Sequence, residues 1–259
     1  MRPAFACTAA VVVPRLIHAG DLPGRRPLRS DVDAPVESEE RVPLTAVEPD
    51  RPARGGIVLL HESRDFAPAL LDLMRALAAE GWVVAAPHLF HHEPAHSDSE
   101  VFGETLFAAF DATFDWLVGR GIYPDCVGVL GFDDAGTAAL LVATNRPVGA
   151  AVSVSAHGIV APLTDDTPAL VDAAPSLRAP WLGLYGEDDP RTPPEHVERL
   201  RDAVARSDAP TNIVSYVGLA HRADEPPVPE PSADDDDPLV VAILDAQRRI
   251  FDWFDSNLR

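Results

Sequence analysis

Val127-Gly128-Val129-Leu130-Gly131-Phe132-Asp133-Asp134-Ala135-Gly136 is the stretch on which the fold turns. Its first half is an unbroken apolar run, as in a strand buried on both faces of a sheet. Gly131 and Ala135 stand two residues before and two after Asp133, and small residues continue in a helical pattern to about Thr144. A strand that enters a helix through so sharp a turn crowds its own flanks, and only Gly or Ala fits there. That is the arrangement of a nucleophile elbow. The side chain at 133 then stands at the top of the sheet, with the N–H groups of the next helix aimed at it.

Working outward, strand and helix patterns alternate on both sides of the elbow. Gly56 to His61 and Trp82 to Ala86 read as buried strands before it, with Cys126 at the start of the elbow strand as a small core residue. Gly149 to Ser155, Trp181 to Tyr185 and Asn212 to Val217 read as strands after it. Helical spacing of apolar residues marks Phe66 to Glu80, with Gly81 as its C-cap, and Phe102 to Gly119. The same spacing marks Glu195 to Ala205 and Leu239 to Leu258. Such alternation with short loops means an α/β fold: a mostly parallel central sheet with helices on both faces. Residues 1–36 show no periodicity and read as a loosely ordered extension, leaving one domain over 37–259.

Charge and composition remove several classes of function. Of 259 residues 46% are apolar, enough for a substantial core, and the formal charge is −20. So acidic a surface repels phosphate backbones and anionic membrane faces, so neither nucleic acid nor membrane is expected as a partner. No apolar run approaches the roughly 18 residues of a membrane span. An apolar start from Ala4 to Val13 is stopped by Pro14-Arg15 without a cleavage site, so a cytoplasmic location is expected. Two cysteines, Cys7 and Cys126, make no disulfide framework.

In strand-turn-helix hydrolases an acid and then a His follow the elbow in chain order. Here Leu182 to Pro190 is a strand ending in Glu187-Asp188-Asp189, and Val217-Gly218-Leu219-Ala220-His221 ends in His. With Leu59-Leu60-His61-Glu62 and Ala85-Ala86-Pro87-His88-Leu89-Phe90, these segments resemble the dienelactone hydrolase family of α/β-hydrolases over about 38–259. The resemblance implies an α/β-hydrolase fold without a full cap domain, a small-molecule substrate and no cofactor or metal. It implies Asp189 as the triad acid, His221 as the triad base, and Glu62 as an acid beside the nucleophile. Backbone N–H groups of Asp134 and of Glu62 or Ser63 would form the oxyanion hole.

The departure lies at the centre, where the family has Cys, or Ser in relatives, and this chain has Asp133. A carboxylate attacking an ester would form an anhydride, an uphill step, so the family's lactone chemistry does not transfer. One reading makes Asp133 a nucleophile toward an sp³ carbon, with His221, oriented by Asp189, activating the water that cleaves the alkyl-enzyme ester. Against it, enzymes of that kind carry a cap, and only residues 156–180 are available for one. The other reading is a lapsed or repurposed pocket, binding a ligand or using Asp133 and His221 as an acid–base pair. There Asp133-Asp134 simply begins a helix, Asp being a preferred N-cap that complements the dipole.

Further candidates surround this centre. His88, His91, His92, Glu93 and His96 cluster in what should be a loop, where a polar rim is the plainer reading than a metal site. Arg64 and Arg222 are candidates to hold an anionic substrate, while Phe66, Phe90 and Phe132 at strand-end loops are candidates for an apolar floor. His157 follows a strand end and is a candidate to line the pocket, whereas His61 reads as scaffold. Between Arg222 and Pro238 seven acids stand against one Arg, in a segment lacking the spaced ligands of a calcium loop. That local charge beside His221 argues against anionic substrates.

Overall fold

The computed structural model describes residues 6–13, 40–61, 68–89, 103–219 and 238–258. Eight strands form one sheet: β1 (Ala6–Val13), β2 (Glu40–Val47), β3 (Gly55–Leu60), β4 (Trp82–Pro87), β5 (Val127–Phe132), β6 (Ala150–Val154), β7 (Trp181–Gly186) and β8 (Thr211–Tyr216). Their spatial order is β1-β2-β4-β3-β5-β6-β7-β8. β1 and β2 pair antiparallel, as do β2 and β4, and every other pairing is parallel. The helices are α1 (Pro68–Ala79), α2 (Glu104–Gly119), α3 (Asp134–Asn145), a single turn α4 (Leu170–Ala173), α5 (Pro194–Val204) and α6 (Pro238–Asn257).

Period-two alternation divides the strand side chains between two apolar layers. On one face Val58, Leu60, Val127 and Val129 pack with Leu106 and Phe110 of α2, Leu140 of α3 and Leu200 of α5. On the other, Ile57, Leu59, Leu130 and Phe132 pack with Met74 and Leu77 of α1 and with Ile250 and Phe254 of α6. Gly128 lets α6 lie flush on the sheet, because a Cβ there would meet the Phe254 ring at 2.6 Å. Every residue of β3, β4, β5, β6 and β7 is buried, which is why their sequences read as continuous apolar runs rather than alternations.

From β3 the chain crosses to β4 on one side and later to β5 on the other, so the sheet reverses direction of growth between β3 and β5. In open α/β sheets the crevice outside the carboxyl ends at such a reversal is where ligands bind. His61 ends β3 and Asp133 follows β5 at that crevice.

The elements expected from apolar periodicity appear with bounds within two residues of those read from the sequence. Two strands differ from expectation. Ala6–Val13, read as part of a loose extension, pairs along its whole length with Glu40–Val47, from Ala6 opposite Val47 to Val13 opposite Glu40. Pro43 inside β2 argues against a strand when only the sequence is considered. In the sheet its carbonyl accepts the His88 N–H at 2.8 Å, and the His88 ring Nε2 hydrogen-bonds Thr45 Oγ1 at 2.9 Å. Cys126, expected within the elbow strand, lies instead in the 3₁₀ turn Pro124–Cys126 and is half-buried. Burial, then the adjacent Asp125, push its thiol above the ordinary range.

Candidate functional site at the elbow

Asp133 joins β5 to α3 with φ 55° and ψ −124°. This is the mirror image of the polyproline region, a conformation that L residues other than Gly rarely adopt. Gly131 and Gly136 show what holds the turn so tight. A Cβ on Gly131 would stand 2.1 Å from the Ala135 carbonyl oxygen, and one on Gly136 would press on the Gly131 and Val154 carbonyls at 3.1 and 3.2 Å. The Asp133 N–H donates to Val154 O at 2.9 Å, and its own carbonyl accepts from Thr137 N–H at 3.2 Å. Asp133 is the N-cap of α3 by position, yet its side chain makes no capping hydrogen bond. Capping therefore does not explain the carboxylate.

The neighbouring strand brings a histidine to this carboxylate. β6 ends at Val154, and Ser155, at φ 50°, turns the chain while its N–H stays bonded to Leu184 O at 2.8 Å. His157 follows, buried, with its carbonyl held by the Thr137 hydroxyl at 2.7 Å. Its ring Nδ1 lies 2.6 Å from Asp134 Oδ1 and its Nε2 lies 3.7 Å from Asp133 Oδ1. An ionised carboxylate only accepts, so the Nδ1–H donates to Asp134. Arg191, in the loop after β7, reaches Asp134 Oδ1 with Nη2 at 3.8 Å. Below them Trp181 Nε1–H donates to Ser153 Oγ at 2.9 Å and the Ser153 hydroxyl donates to Gly136 O at 2.6 Å, pinning the start of α3 to β6 and β7.

Asp189 sits in the turn after β7 and is only 2% exposed. One carboxylate oxygen accepts the Arg191 N–H at 2.9 Å. Its turn is tied to the end of β8 by Glu187 N–H to Tyr216 O at 3.0 Å and by Asp188 N–H to Leu219 O at 2.9 Å. Leu219 is two residues before His221, so the backbone bonds bring the acid's loop to the chain that leads into the expected base.

Of the residues singled out from the sequence, Asp133, Asp134 and His157 stand together, and Asp189 is buried at the neighbouring strand end. Glu62, Ser63, Arg64, Phe66, Phe90, His221 and Arg222 lie outside the described residues, as do His91, His92, Glu93 and His96. Phe132, expected at a strand-end loop, is the last residue of β5 and, at 3% exposure, packs in the α1–α6 layer. Residues 156–180 form no cap: Leu170 N–H and Val171 N–H bond back to Gly158 O and Ile159 O, and Leu170 packs into the α2–α5 layer. The sequence reading gave Asp134 a backbone role only and passed over Arg191. Among the described residues no group of three metal-ligating side chains converges, and no helix is long and apolar enough to cross a membrane.

Comparison with known proteins accords with this geometry. The family model for the dienelactone hydrolase family matches residues 43–257. The chain belongs to the dienelactone hydrolase family. A Salmonella typhimurium protein named "Putative carboxymethylenebutenolidase" is 26% identical, with 96% of this chain and 94% of that protein aligned. A crystal structure of a Klebsiella pneumoniae "Putative Dienelactone Hydrolase" superposes with a TM-score of 0.72 at 22% identity, covering 97% of this chain and 99% of that one. Dienelactone hydrolase from Anabaena variabilis superposes with a TM-score of 0.64 at 20% identity, covering 98% and 99%. The structural likenesses establish the α/β-hydrolase fold; family membership rests on the sequence match.

Proposed function

We propose that this dienelactone hydrolase family member hydrolyses a small organic substrate through Asp133 as nucleophile, with His221 as base and Asp189 orienting it. The carrying observation is the Asp133 backbone at φ 55° and ψ −124°, with no capping bond from its side chain. A carboxylate kept at a strained position for no helical purpose is best understood as a reacting group. In the first step a carboxylate oxygen attacks an sp³ carbon, and the leaving group departs with the bonding electron pair, leaving an alkyl ester of Asp133. In the second, water gives a proton to His221 and attacks the Asp133 Cγ carbonyl. N–H groups of Asp134 and of Glu62 or Ser63 stabilise the oxyanion; on its collapse His221 returns the proton to the departing alkoxide, the alcohol leaves, and the acid formed on residue 133 loses its proton to solvent, restoring the carboxylate.

Single turnover with excess enzyme in ¹⁸O water tests this reading, since the attacking water leaves its oxygen in Asp133. Mass spectrometry of the peptide bearing Asp133 should find the label, and Asp133→Asn should abolish turnover; an active Asp133→Asn enzyme without label rules the nucleophile out. One observation favours a second reading, a non-hydrolytic acid–base site: His157 Nε2 lies 3.7 Å from Asp133 Oδ1, so a small side-chain rotation on substrate binding would bring the two into hydrogen-bond reach. Turnover that leaves Asp133 unlabelled, with solvent hydrogen exchanged into the substrate, selects that alternative. Asp133→Cys separates both from a lapsed pocket, because a working base and oxyanion hole should then give ester cleavage.

A further inference from the structure

The two edges of the sheet are finished differently. β8 forms one edge, where Trp181 N–H to Pro210 O at 2.9 Å and Glu187 N–H to Tyr216 O at 3.0 Å turn its even-numbered residues toward β7. Ile213 therefore presents its carbonyl outward, and Arg201 of α5 donates to it from Nη1 at 2.9 Å. A charged side chain laid on an outward carbonyl obstructs the addition of another strand. β1 forms the other edge, and among the described residues no strand pairs with its outer side.

Register shows which residues of β1 face outward. His88 N–H donates to Pro43 O at 2.8 Å, so residue 43 turns its backbone groups toward β4 and residue 44 turns its own toward β1. Leu44 stands opposite Ala9. Ala9 thus bonds inward, while Ala6, Thr8, Ala10 and Val12 point their N–H and C=O groups away from β2. The strand, Ala6-Cys7-Thr8-Ala9-Ala10-Val11-Val12-Val13, contains neither a charge nor a Pro, two of the devices that discourage pairing at an edge.

Charge and symmetry select the occupant. Residues 1–39 hold five Arg against five acids, so the whole net charge of −20 lies in residues 40–259. Two copies that met through the acidic remainder would bring like charges together, whereas the segment around β1 is balanced. The strand also complements itself about a two-fold axis at Ala9. Ala6 then pairs with the partner's Val12 and Thr8 with the partner's Ala10, which satisfies the outward groups of both strands. Ala9 meets the partner's Ala9 in a non-hydrogen-bonded pair, the closest approach in such a ladder, where a small residue fits. We propose that β1 is a dimerisation edge, along which two copies of this chain pair antiparallel and join their sheets into one. The inference stands apart from the chemistry at Asp133, since β2, β4 and β3 lie between β1 and β5.

Sedimentation velocity of the full-length protein over about 1–100 µM should show a dimer. Ala10→Pro removes an outward N–H that β2 does not use, so it should give a monomer with native far-ultraviolet circular dichroism. If that variant fails to fold, Thr8→Pro makes the equivalent deletion. A cross-link reads the register. In a chain carrying Cys7→Ser and Cys126→Ala, Ala9→Cys should oxidise to a disulfide-linked dimer, because Cα atoms about 4.5 Å apart suit the bond. Ala6→Cys places the two thiols about 20 Å apart along the strands and should stay unlinked. A monomer throughout the concentration range, a dimer that persists in the folded Pro variant, or a Cys variant at position 9 that links no better than the one at position 6 would each overturn the proposal.

Discussion

Replacing Asp133 by Gly and by Ala separates the backbone of the elbow from its chemistry. At most positions Gly is less stable than Ala by roughly 0.5–1 kcal/mol, because its unfolded chain has more conformations to lose. At φ 55° and ψ −124° the balance reverses. These are the angles of the first central residue of a type II′ turn, which Gly adopts without steric cost. Any residue with a Cβ there carries strain on the order of 1–3 kcal/mol. Subtracting the entropy term leaves Gly ahead of Ala by about 1 kcal/mol, which for a chain of this size raises Tm by about 2–4 °C. Both variants lack the carboxylate, so neither should turn over substrate by the proposed route, and loss of the 3.7 Å approach to His157 is common to both. Thermal and urea unfolding of the pair isolate the strain. An Ala variant as stable as the Gly variant would refute the claim that the elbow holds residue 133 under strain, and with it the main support for a reacting Asp133.

Two further outcomes follow from the packing. Gly131→Ala sets a methyl 2.1 Å from the Ala135 carbonyl oxygen, a backbone atom that cannot step aside, so it should cost about 3 kcal/mol in urea unfolding, while Gly119→Ala, with nothing within 4 Å, should be neutral or slightly stabilising. Tyr185 is buried with no hydrogen-bond partner for its hydroxyl among the described residues, so Tyr185→Phe should gain about 1 kcal/mol. Burial also raises the Tyr185 phenol above its ordinary range. The folded protein therefore keeps that proton where the unfolded chain loses it, so stability is intact below about pH 10 and falls as pH rises further. Tyr185→Phe should flatten this alkaline loss, as read by thermal unfolding at pH 9 and pH 11.

Much of this molecule was legible before any coordinates. Buried parallel strands read as continuous apolar runs because both faces of the sheet are covered, and the helices announced themselves by apolar spacing and by Gly81 at the end of α1. The elbow was legible because its crowding is enforced by near neighbours in sequence: Gly131 meets the Ala135 carbonyl four residues on. The first two strands were not, since β1 finds its partner across residues 14–39, a separation that no local spacing rule spans, and Pro43 masks the second.

The sequence by itself determined the fold class, the family and the presence of an acid at the nucleophile position, because each depends on local order and spacing. What Asp133 is beside was decided only by tertiary structure. Parallel pairing of β5 with β6 sets Phe132 opposite Val154, and so delivers His157, 24 residues after Asp133, to the carboxylates that follow β5. The same pleat turned Phe132 into the core although it adjoins the site in sequence. Contacts across a sheet depend on register and on which face each residue takes, and neither is written in the spacing of the residues that meet.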